Sequence, residues 1–300
     1  MTNGQRPRLT VHTAYPCVRS GRSRDPVRFL GVPPHRGHRA APFHGRSRDP
    51  VRFLGVPADD VTLSDAVRRI HRATDKGERL HVVTLNPEYV MQARRDTRLR
   101  ETIEAAGLRV ADGVGLTVAA RLLGTPLPAR ITGNDLVAVL ADEGMPLFLL
   151  GAAPGVAEEA AAVLRTRYPH AQIAGTWAGD AGPGDDAEAR RRINATDAKV
   201  VLVAYGMPKQ DHWIARNVPH LNAPVAIGVG GVFDYLSGRV PRAPRLLRRA
   251  GLEWAYRLVR QPWRWRRILI VWQFAGLVMV EAARRRLRPP THKTARKGEQ

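Results

Sequence analysis

Cysteine is almost absent from this 300-residue chain: Cys17 stands alone, so no intramolecular disulfide forms and a reducing compartment is expected. An apolar signal core is lacking too. Arginines and prolines fill the first 30 residues instead, nothing there reads as a secretory signal, and a cytoplasmic location is expected. Nor is there a long hydrophobic run. The longest, Ile268 to Val280, is interrupted by Gln273, and a bilayer-spanning helix needs about 20 residues. Several catalytic signatures are missing as well: there is no P-loop, no HExxH and no GxSxG. No Asp-x-Asp pair occurs either, which argues against a divalent cation bridging a diphosphate, so neither a metal site nor a cofactor is expected.

Acidic residues are scarce, 27 against 48 lysines and arginines, and the net charge is +21. The excess sits at the ends, about +9 in residues 1–57 and about +14 in residues 239–300, leaving the middle near −2. Basicity placed this way suits an anionic surface, lipid or nucleic acid, rather than a uniformly basic fold. A 13-residue segment, GRSRDPVRFLGVP, occurs at Gly21–Pro33 and again at Gly45–Pro57. Two copies make no solenoid. Pro, Arg and Gly dominate residues 1–50, which are therefore expected to be a poorly ordered basic extension. Only the second copy leads into a fold, through a strand ending near Val56 and a helix beginning near Leu63. The expected division is 1–50 extension, 51–238 catalytic α/β domain and 239–300 basic, helical, membrane-associating appendage.

From Leu80 onward, short β-branched runs alternate with helical ones. LHVVTLN precedes the helical run PEYVMQARRDTRLRETIEAAG, LRVADG ends in a turn, and GNDLVAVLADEG is helical. MPLFLLGAAPG feeds the helix VAEEAAAVLRTRYP; AKVVLVAYG and PVAIGVGGVFD flank the helical KQDHWIARNVP. This alternation predicts an α/β, Rossmann-like fold with a mostly parallel sheet and flanking helices. Functional residues in such folds gather at the carboxyl ends of the strands.

At those ends stand the candidates. Asn86, before Pro87 and Glu88, has the form of a helix N-cap, and the Thr84 hydroxyl is expected to face the crevice. Asp112, in VADGVG, is either a turn residue or a general base for a hydroxyl nucleophile. Arg130 and Asp135, in ARITGND, read as a solvated pair and a cap, or else Arg130 matches phosphate oxygens with its fork. Gly151 heads the turn GAAPGVAEE, which suits an anion at a helix N-terminus. Lys209, Gln210 and Asp211 sit at a strand-to-helix junction. Gly230 and Gly231, just ahead of Asp234, permit close approach of a ligand.

In this order, TLNPEYV, ADGVGL, ARITGNDL, FLLGAAPGVAEEA, YGMPKQDHWIARN, GVGGVFDYLSG and RAPRLLRRAGLEWAYRL resemble the WecG/TagA/CpsF glycosyltransferase family, glycosyltransferase family 26, over residues 53 to 267. The resemblance implies transfer of a sugar from a UDP-sugar donor to an undecaprenyl-diphosphate-linked acceptor, with inversion and without metal. It places the base on Asp112, the strand-end polar pair on Thr84 and Asn86, and the family arginine on Arg130, followed by Gly133 and Asp135. On the donor and diphosphate side it implies Lys209, Gln210, Gly151, Gly230, Gly231 and Asp234. The C-terminal basic residues fall on Arg257, Arg264 and Arg267, for the acceptor diphosphate and the membrane. Two segments depart from the pattern: Asp211 stands where the family's Pro-Lys-Gln-Glu motif ends in glutamate, and GTWAGDAGP replaces a Gly-Tyr-Phe stretch.

The expected partners are thus a UDP-sugar, a lipid-linked acceptor and an anionic membrane surface at the inner face of the cell membrane. A homo-oligomer is left open. Nucleic acid is the competing reading, prompted by RQPWRWRR, but that segment runs directly into ILIVWQFAGLVMV, which suits an interfacial membrane element. A non-catalytic sugar-nucleotide sensor would keep the glycine turns and discard Asp112.

Overall fold

Six runs of β-branched and aliphatic residues pair into one parallel sheet in the computed structural model, which describes residues 49–240, 246–247 and 265–287. The described chain opens with a short antiparallel hairpin, β1 (Val51–Phe53) and β2 (Val56–Ala58), whose turn residues Leu54 and Gly55 both take positive φ. That geometry matches the twist of a tight hairpin. Helix α1 (Leu63–Lys76) follows. Thr62 and Asp65 cap it reciprocally, and Gly77 ends it in the left-handed conformation.

Next come β3 (Leu80–Leu85), α2 (Pro87–Ala93), α3 (Thr97–Ala105), β4 (Leu108–Ala111), α4 (Val114–Leu122), α5 (Gly133–Asp142) and β5 (Leu147–Gly151). The remainder is α6 (Val156–Arg167), β6 (Ile173–Trp177), α7 (Asp186–Asn194), β7 (Val200–Ala204), α8 (Lys209–Asn217), β8 (Val225–Gly228), α9 (Val232–Leu236) and α10 (Trp265–Leu287). The sheet order is β4–β3–β8–β7–β5–β6, every neighbouring pair parallel. This is the Rossmann-like α/β fold expected from the alternation. Side chains of Val83 and Leu85 face one core cluster with α2, α3, α4 and α10, while Phe148, Leu150, Val201 and Val203 face another with α7 and α8. The alternate residues Val82, Leu149, Leu202 and Ile227 are equally buried. Both sheet faces are therefore covered, as all-parallel sheets require.

Two elements differ from the sequence reading, and the expected C-terminal helix is present. The single helical run expected after Asn86 is two helices, because Asp96 caps α3 by accepting from the Leu99 amide. Helix α4, which was not expected, begins at Gly113 without a side-chain cap. Helix α10 is 23 residues long and packs on α2 and α4, burying Phe274, Val278 and Ala282 in the first core cluster. The region beyond residue 238 thus contributes part of the core. Among the described residues no helix is long and apolar enough to cross a membrane.

Candidate functional site

The carboxyl ends of β4, β3 and β8 lie side by side, and most of the candidates stand there. Thr84 is buried, and its hydroxyl donates to the Gly228 carbonyl at 2.8 Å. The expectation of a hydroxyl open to the crevice is corrected: its proton ties β3 to the end of β8. Asn86 caps α2, its Oδ1 accepting from the Tyr89 amide at 3.0 Å with Pro87 in the first helical position. The Asp112 amide donates to the Leu85 carbonyl at 2.6 Å, extending the β3–β4 ladder by one step and setting Asp112 beside the start of α2. Asp112 is half-buried.

The Arg130 segment joins the same end, since the Ile131 amide donates to the Ala111 carbonyl at 3.0 Å. Arg130 itself is exposed. Asp135 forms a capping box with Thr132 at the head of α5, as the bland reading of this residue had it. Gly133 lets that head approach the turn after β8: a Cβ there would lie 3.3 Å from Val232 Cγ2 and 3.5 Å from the Val229 carbonyl.

Beneath this rim runs a buried polar chain. Tyr89 Oη donates to Asp211 Oδ2 at 2.8 Å, Gln210 Nε2 donates to Tyr89 Oη at 2.6 Å, and the Gly230 amide donates to Gln210 Oε1 at 3.0 Å. Gln210 and Asp211 are essentially inaccessible. His81 Nε2 stands 3.5 Å from Asp211 Oδ1, and neither atom makes a hydrogen bond. Burial, then the Asp211 charge and hydrogen bond, push the Tyr89 phenol well above its ordinary pKa; the charge of Asp112 adds to the rise. Gly228 makes room for the amide, because a Cβ there would meet Gln210 Nε2 at 2.6 Å.

The remaining candidates are more dispersed. Lys209 is exposed at the first position of α8. Gly230 takes φ +56° and Gly231 is exposed before α9, whose first turn holds Asp234. Gly151 lies two strands from β8 in the sheet order; at φ +99° it packs against β7, where a Cβ would come within 2.9 Å of the Ala204 carbonyl carbon. In the divergent GTWAGDAGP segment, Trp177 ends β6 with the Arg192 guanidinium 5.3 Å from its ring centroid. Arg257 and Arg264, and the side chain of Arg267, lie outside the described residues. Among the described residues no cluster of three His, Cys, Asp or Glu is arranged to hold a metal ion.

Sequence reading missed Tyr89, His81 and Gly228 as members of this site. Tyr89 lies inside the quoted NPEYV segment, and its place one turn after a strand-end cap was the only local signal. The Tyr89–Asp211 bond joins residues 122 positions apart, which no local pattern reveals.

Residues 51–288 match the model of the glycosyl transferase WecG/TagA/CpsF family. The N-acetylglucosaminyldiphosphoundecaprenol N-acetyl-β-D-mannosaminyltransferase of Bacillus spizizenii strain W23 is 34% identical over 209 residues, which are 68% of this chain and 80% of that protein. The like-named enzyme of Bacillus subtilis strain 168 is 34% identical over 205 residues, 67% of this chain and 79% of its own. These matches decide the family: the chain belongs to the WecG/TagA/CpsF glycosyl transferases.

Proposed function

We propose that this glycosyltransferase moves a sugar from a UDP-sugar to a polyprenyl-diphosphate-linked sugar, with inversion and without a metal, during synthesis of a cell-surface polysaccharide or teichoic acid. The reading is supported by the names of the two Bacillus relatives, which specify an N-acetylglucosaminyl-diphosphoundecaprenol acceptor and an N-acetylmannosaminyl group. The observation that carries it is the meeting of Asp112, the Arg130 segment and the Gln210–Gly230 turn at the adjoining ends of β4, β3 and β8. The acceptor hydroxyl gives its proton to the Asp112 carboxylate as its oxygen bonds to the anomeric carbon, and the bond from that carbon to the UDP oxygen breaks on the opposite face. Charge gathering on the departing diphosphate is offset by arginines, for which the candidates are Arg130, Arg257, Arg264 and Arg267. Gln210, Lys209, Gly151, Gly230, Gly231 and Asp234 form the donor side. Thr84 and Asn86 shape the floor, Thr84 by tying β3 to β8 and Asn86 by starting α2. The enzyme works while bound peripherally to the inner leaflet.

The test is to incubate the membrane-bound protein with radiolabelled UDP-sugars and a polyprenyl-diphosphate sugar, with and without excess EDTA, and to follow label into the lipid phase. Transfer of one label, unchanged by EDTA, is the expected result. No transfer from any UDP-sugar would overturn the donor assignment, and loss with EDTA that Mn²⁺ or Mg²⁺ restores would overturn metal independence.

A further inference from the structure

The least economical feature of the molecule is a carboxylate with no exposure, Asp211, whose Oδ1 makes no hydrogen bond and stands 3.5 Å from His81 Nε2. Burying an ionised carboxyl is expensive unless hydrogen bonds hold it. Here two helix starts supply the support. Asp211 lies in the first turn of α8, where the helix dipole favours negative charge, and Tyr89, in the first turn of α2, donates to it.

The consequence of that charge is directional. A carboxylate only accepts, so the Tyr89 hydroxyl must donate to it, and the Tyr89 oxygen is left to accept. The Gln210 side chain must then turn its NH2 toward Tyr89, which leaves its carbonyl oxygen for the Gly230 amide. The observed distances of 2.8, 2.6 and 3.0 Å follow this order. Without the charge, the Tyr89 hydroxyl is free to donate to a reversed amide, which would set NH2 against the Gly230 N–H. Such a chain of bonds is cooperative in a low-dielectric interior.

We propose that Tyr89 and Asp211 are positioning residues of the transferase, a buried relay that fixes the orientation of the Gln210 amide and through it the Gly230–Gly231 turn on the donor side. Neither residue touches the reacting atoms. This inference rests on the donor-side assignment above, and it adds a reason for the aspartate: Asp211 is shorter than the glutamate of the family motif, yet it reaches Tyr89, and the acidic group rather than its length is what the relay needs.

Two variants test it. Tyr89→Phe removes the link with almost no change of volume, and Asp211→Asn keeps the shape while replacing a group that only accepts by one that also donates, so the direction of the chain is no longer fixed. In both, the donor KM should rise roughly tenfold, the scale of one lost buried hydrogen bond, with the acceptor KM unchanged within about twofold. Asp211→Glu should restore the parent donor KM. A second readout needs no substrate: hydrogen exchange at the Gly230 amide should accelerate in Tyr89→Phe and Asp211→Asn, and return to the parent rate in Asp211→Glu. If the parent chain transfers no sugar from UDP-sugars, the functional reading fails while the exchange experiment still decides the relay. Unchanged donor KM together with unchanged Gly230 exchange would overturn it, as would equal rises in donor and acceptor KM, which would mark a general loosening of the fold.

Discussion

Asp112 owes its place to a backbone bond, the 2.6 Å contact from its amide to Leu85 that carries the ladder one residue past β4, so its side chain can be changed without disturbing the strand. Asp112→Asn should therefore leave melting behaviour and UDP binding near those of the parent, while turnover falls by about 10² or more, the scale of a lost general base. Initial rates at saturating donor and acceptor measure this, and near-parent turnover would remove Asp112 from the reaction. Gly228 offers the converse case, a residue without a side chain whose replacement acts on a neighbour. A methyl group there would sit 2.6 Å from Gln210 Nε2 and 3.1 Å from Cδ, and Gln210 is held at both ends with nowhere to retreat. Gly228→Ala should lower stability by about 1–3 kcal/mol, as overpacking does, and should weaken UDP binding as well. Denaturant unfolding beside a UDP titration separates the two effects. A parent-like melt would mean that the amide moves freely. Sequence alone pointed to Asp112 because an acid at a strand end needs only local reading. It did not point to Gly228, because the residue that glycine accommodates comes from another part of the chain.

Elements were legible where their ends are written in side chains. Helices α1, α2 and α5 begin at Thr62, Asn86 and Thr132, each with a bonded cap, and the strands carry continuous aliphatic runs, so the α/β alternation follows directly. Helix α4 was invisible for the opposite reason: Gly113 gives no capping bond, and there is no acid in its first turn. The break between α2 and α3 rests on one aspartate after two arginines, a signal that a continuous helical pattern hides. Helix α8 adds a pH dependence at this scale. His212 is largely buried and packs beside the start of α3, 4.0 Å from Asp96 Oδ2. Burial first, then the charges of Arg98 and Arg216, hold its pKa below the ordinary 6.5, against an opposite pull from Asp96 and Asp211. Since the unfolded chain then binds the proton at a higher pH than the folded one, this contribution is fully present above the unfolded value and is lost as pH falls toward the folded value. The melting temperature should decline as pH is lowered through about 6.5, and His212→Gln should flatten that part of the profile. An identical slope in the variant would assign the decline to other groups.

At the scale of the whole molecule, the question is what the two sides of α10 do. Its inner side belongs to the core through Phe274, Val278 and Ala282, and the Arg285 guanidinium donates to the Leu123 carbonyl at the end of α4 at 3.3 Å. Its outer side carries Trp265, Leu269, Trp272 and Met279, spaced by four, three and seven, so they share one face. Trp272 is 64% exposed and Met279 56%, so neither is packed away among the described residues. The last turn holds Arg284, Arg285 and Arg286. An apolar face with tryptophans and a basic end is what a helix lying in an anionic interface requires, and each nearby arginine adds about 1 kcal/mol of attraction to such a leaflet. On the expected division at residue 238, truncation there would leave residues 51–238 as a core. The burial of Phe274 argues otherwise, since that truncation would uncover the α2 and α4 surfaces beneath it. Substitutions on the two sides should therefore separate folding from adhesion. Phe274→Ala should cost about 3–5 kcal/mol of stability, whereas Trp272→Ser combined with Met279→Ser should melt like the parent and sediment far less with vesicles containing phosphatidylglycerol. The loss should be partial, because the arginines remain and still draw the molecule to the surface. If the outward double variant sedimented as fully as the parent, the exposed face of α10 would have no part in membrane binding, and adhesion would fall to the basic residues alone.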